Sequence, residues 1–198
     1  MKKILVLLAV MVLVSSSAFA AITGSAHDLS SNNTTGSDEI CVFCHTPHGG
    51  GTDAPLWNRT SVAPTAVYTS GSFNATASTT AGDAKLCLSC HSGTAVSSAL
   101  VNPSNAAGAN PGSGLTIGAS ADIGTDLSND HPVGFDYSAS DADDAEVKAI
   151  DDAGVAALLF PGGEMWCSSC HNVHDNTNVP FLVMSNSNSD LCLTCHIK

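Results

Sequence analysis

Four copies of one pentapeptide constrain this chain more than any other feature: Cys41-Val42-Phe43-Cys44-His45, Cys87-Leu88-Ser89-Cys90-His91, Cys167-Ser168-Ser169-Cys170-His171 and Cys192-Leu193-Thr194-Cys195-His196. Each is Cys-x-x-Cys-His, the pattern that attaches a c-type haem. Two thiols add across the two vinyl groups of one porphyrin, so they must lie about one turn apart. The next residue then falls under the iron, where His supplies a nitrogen ligand. All eight cysteines are used in this way. The competing reading is a pair of zinc ribbons, since Cys-x-x-Cys also binds zinc. A ribbon needs no His after each second Cys. With 8 His in 198 residues, chance fills all four places with a probability on the order of 10^-6.

The remaining histidines complete an inventory. His45, His91, His171 and His196 belong to the motifs, and His27, His48, His131 and His174 are left over. Four irons need four second axial ligands to become six-coordinate, so the counts match and bis-His ligation is expected throughout. Taken singly, each spare His also fits a surface or hydrogen-bonding role. Met165 and Met184, the only methionines beyond residue 20, are alternative axial ligands, with core packing the expected role. His48 and His174 each lie three residues after a motif His. From there neither reaches the opposite face of the same porphyrin, so each is expected to ligate a neighbouring haem. His27 sits on a polar N-terminal arm and either folds back on its own chain or reaches an adjacent subunit.

The chain starts with Met1-Lys2-Lys3, an apolar run over 4–14, three serines and Ala18-Phe19-Ala20. A charged start, an apolar stretch and an A-x-A site predict a signal peptide over 1–20, cleaved after Ala20. The apolar run is well short of the ~20 residues that a spanning helix needs, and no later stretch is long and apolar enough. The mature domain, 21–198, is therefore expected to be exported without a transmembrane segment.

Composition sets the kind of core. The 178 residues beyond the signal peptide amount to about 45 per haem, and aromatics make up 5% of the chain. Too little aromatic mass is present for a dense polypeptide core. The expected fold is mostly irregular loop with a few short α-helices, wrapped around a four-haem core. Loss of Lys2 and Lys3 takes the formal net charge from −12 to −14. Arg59, Lys85, Lys148 and Lys198 are the only mature basic residues, which excludes a nucleic-acid or anionic-membrane surface.

Local patterns follow the motifs. Residues 21–40 read as an extended polar arm. Pro55-Leu56-Trp57 reads as an apolar cluster against a porphyrin face, and Tyr68 and Phe73 as packing points. Residues 102–130 are Gly/Ala/Ser/Asn-rich and read as flexible up to an anchored turn at Asp130-His131-Pro132. The best helix is expected after Ser140 or Asp141, with Val147 and Ile150 as its apolar stripe. The halves 41–91 and 167–196 both read Cys-x-x-Cys-His-x-x-His and then Cys-x-x-Cys-His.

On these residues (His27-Asp28-Leu29-Ser30, the stretch 41–49, Leu86 through the second motif, Asp130-His131-Pro132-Val133-Gly134 and the stretch 167–174) the chain resembles multihaem c-type cytochromes with the doubled Cys-x-x-Cys-His motif. Within that group it is similar to the outer-surface tetrahaem cytochromes that polymerise into extracellular filaments. The resemblance implies four covalent bis-His haems and electron transfer rather than catalysis, in the periplasm, at the outer surface or outside the cell. It implies other cytochromes or extracellular acceptors as redox partners. It also implies a continuous haem chain across subunits, with His27 the best candidate for an inter-subunit ligand. The alternative is a multihaem reductase of nitrogen or sulfur oxyanions, which needs one haem with an open coordination position.

Overall fold

A computed structural model describes residues 22–31, 39–96, 100–102, 114–142 and 144–197. The signal-peptide assignment over 1–20 and part of the Gly/Ala-rich stretch, 103–113, lie outside the described residues. The architecture is mostly irregular, as composition predicts. It contains α1 (Ala84–His91), α2 (Ser138–Asp141), α3 (Ala153–Leu158) and α4 (Cys192–Cys195), with 3₁₀ turns at Leu29–Ser31, Ile40–Phe43, Cys167–Ser169 and Ser187–Ser189. Two short strands, β1 (Phe135–Asp136) and β2 (Glu164–Met165), pair antiparallel with Phe135 opposite Met165.

The described part of the arm is not extended. Residues 22–31 curl through turns closed by Ser25 N to Ile22 O at 2.9 Å and Asp28 N to Ser25 O at 3.1 Å. Asp28 organises this curl, because its carboxylate accepts from the backbone of Gly24 and Ser30. Those donors hold its acid below the usual carboxylate range.

The expected helix after Ser140 stops at Asp141. The Asp141 carboxylate accepts from the Ile150 backbone at 2.9 Å, and residues 144–150 run through turns. Val147 instead bridges His196. The longer helix here is α3, whose N-cap Asp152 accepts from Gly154 N and Val155 N. A side-chain acceptor that meets otherwise orphaned first-turn N–H groups starts a helix.

Two small apolar clusters form the polypeptide's interior. One joins Phe135, Tyr137, Val155, Met165 and Cys195, with Phe73 packed edge-on to Phe135 at 5.0 Å. Tyr68 meets Phe73 in turn, so both expected packing points are engaged. Met165 is core here. The other cluster joins Ala84, Leu88 and Leu127. Among the described residues, no helix is long and apolar enough to cross a membrane.

Candidate haem-binding sites

All four motifs adopt the same closed turn. In the first, third and fourth, the first Cys carbonyl accepts from the motif His backbone: His45 to Cys41 at 2.8 Å, His171 to Cys167 at 3.1 Å and His196 to Cys192 at 2.9 Å. The second motif is the C-terminal half of α1, which runs helical through His91. One turn of about 3.6 residues puts both thiols on one side with the His next to them, as covalent attachment to one macrocycle requires.

Motifs one and three share a larger unit. Asn58 N donates to Cys44 O at 2.8 Å, and Thr46 N to Leu56 O at 2.9 Å; Val183 N donates to Cys170 O at 3.0 Å, and Asn172 N to Phe181 O at 2.7 Å. His45 bridges Trp57 and His171 bridges Leu182. Leu56 and Phe181 both take positive φ, 61° and 58°. The half-repeat in the sequence is thus also a repeat in structure, each copy returning through Pro55-Leu56-Trp57 or Pro180-Phe181-Leu182. Trp57 packs its ring edge-on to His45 at 6.1 Å, whereas Leu56 is solvent-exposed.

Three spare histidines are brought to three motif histidines. Ring centroids lie 6.0 Å apart for His45 and His174, 6.1 Å for His91 and His27, and 6.3 Å for His196 and His131. A metal–imidazole nitrogen bond of about 2.0–2.1 Å, with the centroid about 1.1 Å behind it, puts two rings on opposite faces of one iron about 6.2 Å apart. Stacked rings in direct contact come closer, as His27 and Phe181 show at 4.4 Å, while edge-on contact reaches the same range, as His45 and Trp57 show at 6.1 Å. The spacing leaves room for an iron between each pair. His48 and His171 are both exposed, and among the described residues they form no such ring pair.

The ring protons are placed for the same purpose. Nδ1 of His91, His131 and His171 lies 2.6, 3.0 and 3.2 Å from the carbonyls of Ala121, Pro132 and Pro180. A carbonyl only accepts, so Nδ1 carries the proton and Nε2 keeps a lone pair for a metal. Burial, followed by the neighbouring His91, lowers the pKa of His27; burial and then His174 lower that of His45. Both effects favour the neutral, ligating form.

The thiols form no zinc ribbon. Asp83, Cys87 and Cys167 offer atoms within 4.8 Å of one another, the only such group of three among the described residues. Its two cysteines come from different motifs. Burial pushes the Cys44 thiol up to about 11, with Cys90 its largest electrostatic neighbour. Cys170 is raised by burial and then by Cys192. The second and third motifs thus meet through Cys87 and Cys167.

Some contributors carried little sequence signal. Asn58, fully buried, donates to Val42 O at 2.7 Å and Asn102 O at 3.0 Å. Asn102 in turn donates to the carbonyls of His48 and Gly49, both at 2.7 Å. Asp83 could have been found as the cap before α1; Asn102 lies 54 residues from His48, with no local pattern to mark it.

Closed Cys-x-x-Cys-His turns are the arrangement that attaches a c-type haem covalently. Residues 160–198, the region of the third and fourth motifs, match the doubled CXXCH motif family. No curated protein matches the chain.

Proposed function

We propose that this protein is an exported electron-transfer cytochrome with four covalent haems, each held between two imidazoles. His45 pairs with His174, His91 with His27, His196 with His131, and His171 with His48. The observation that carries this reading is the trio of proximal–distal pairs at 6.0–6.3 Å. Iron held in this way supplies one-electron chemistry between its ferric and ferrous states. The chain's own groups do the rest. Paired rings close both axial positions to small molecules, which disfavours the reductase alternative. Carbonyl acceptors lock the ring orientations. Neighbouring thiols of successive motifs set the attachment points side by side, so electrons pass along the chain to another cytochrome or an extracellular acceptor.

His48 and His171 support an assembly reading. Thr46 Oγ1 and Asn102 Nδ2 both bond the His48 carbonyl, at 2.9 and 2.7 Å, which fixes an exposed histidine in place. His48 of one copy completes the His171 site of the next, building a filament. His27, packed against His91 of its own chain, serves within the subunit.

Mass spectrometry of the mature secreted protein should give a chain that starts at Ala21 and carries four haems. Assembled material should be low-spin throughout and inert to carbon monoxide, while isolated monomer should show one high-spin haem that disappears on assembly. Fewer than four haems overturns the reading. A fully low-spin monomer overturns the assembly step, and carbon monoxide binding in assembled fibres favours the reductase.

A further inference from the structure

Asp83 joins two haem motifs that start 80 residues apart in the chain. It is the N-cap residue of α1, and its backbone carbonyl accepts from Leu86 N at 2.9 Å and Cys87 N at 3.3 Å, opening the helix of the second motif. Its side chain turns to the start of the third. One carboxylate oxygen accepts from Cys167 N at 2.9 Å; the other accepts from Ser168 N at 3.0 Å and from the Ser168 hydroxyl. Cys167 and Ser168 open a 3₁₀ turn, where first-turn N–H groups have no partner inside the helix. A carboxylate has two acceptor oxygens and no donor, so it can take all three bonds, whereas an amide offers one acceptor oxygen. Asp83 is buried, so little water competes for these bonds. Packing closes the same joint. A Cβ on Gly82 would come 2.8 Å from the Trp166 ring, and Cys167 lies against the apolar cluster of Ala84, Leu88 and Leu127. The sulfurs of Cys87 and Cys167 thereby lie within 4.8 Å of each other.

We propose that Asp83 is a positioning residue for electron transfer, which sets the gap between the second- and third-motif haems and holds them rim to rim. The inference rests on the four-haem reading above. A thioether sulfur is bonded to a substituent carbon on the rim of its own porphyrin, so two neighbouring sulfurs bring two rims together. Transfer between haems weakens steeply as the gap between their rims grows, and position and orientation are what the chain contributes to a cofactor's chemistry. The long connection between these two motifs does not fix that gap. The Asp83 carboxylate does, by tying the first residues of one attachment turn to the cap of the other.

The test is two-dimensional NMR of the fully reduced, low-spin holoprotein, with haem signals assigned motif by motif. In the wild type the thioether protons at Cys87 and Cys167 should show cross-relaxation peaks with each other. Asp83→Asn and Asp83→Ala should lose these peaks. In partly reduced samples of the same variants, electron exchange between the second- and third-motif haems should slow, with exchange between the third and fourth unchanged; a general loosening of the fold would slow both. Ser168→Ala, which removes the hydroxyl donor alone, should weaken the peaks without losing them. A wild type that lacks the peaks overturns the proposal before any variant is made. So do fully haem-loaded, low-spin Asp83 variants with unmoved peaks and exchange. Where neither Asp83 variant loads its haems, Ser168→Ala decides, and peaks of wild-type strength there overturn the proposal. A wild type that lacks haem at the second or third motif by mass overturns the four-haem reading instead, and this inference with it.

Discussion

Leu56 and Phe181 occupy the same place in two copies of one local fold, both at positive φ after a proline, but only Phe181 covers a histidine. Phe181 is 6% exposed and stacks on His27, whereas Leu56 is 54% exposed. The half-repeat has diverged where the second copy covers His27.

Phe181→Ala removes a buried ring and leaves a void against His27. Such a change costs about 3–5 kcal/mol, and the second-motif haem should turn partly high-spin in the visible spectrum. Leu56→Ala, at the matching but exposed place, should stay within about 0.5 kcal/mol. Denaturant titration of both variants checks the contrast.

His174 belongs to the third motif's segment by sequence but lies against His45 of the first. His174→Ala should therefore leave the first-motif haem high-spin and the third-motif haem unchanged. Paramagnetic NMR of the thioether groups at Cys41 and Cys44 reads the difference. A first-motif haem that stays low-spin in the variant would refute the crossed pairing.

Asn102→Ala should loosen His48. Two side-chain bonds to the His48 and Gly49 carbonyls are lost, at about 0.5–1.5 kcal/mol each. Stability should fall by roughly that sum, about 1–3 kcal/mol, and fibre formation should weaken more than monomer folding. Urea denaturation and electron microscopy measure the two effects.

Gly82 has φ +71°, and a Cβ there would come 2.8 Å from the Trp166 ring. Gly82→Ala strains the backbone and pushes on the residue before the third motif, for a cost on the order of 1–3 kcal/mol. A lowered Tm with all haems still attached is the expected result. An unchanged Tm would show that Trp166 gives way freely.

The attachment turns were legible because thioether chemistry leaves a fixed five-residue imprint. The sparse helices and thin core were legible because the composition supplies few aromatics. The helix expected after Ser140 failed for a physical reason that the pattern does not show: Asp141 turns back to the Ile150 backbone. The curl of residues 22–31 was missed because Asp28 acts through backbone donors that no periodicity reports.

The sequence by itself determined the chemistry: which thiols take a macrocycle, which histidine follows them, and how many imidazoles remain. Only the tertiary structure decided which imidazole faces which. It also decided that the carboxylate of Asp83, just before the second motif, binds the start of the third. The attachment motif is written in adjacent residues, whereas a histidine pair such as His27 and His91, or His131 and His196, is separated by more than sixty residues. Those partners meet only through the turns, caps and backbone hydrogen bonds that fold the loops between them.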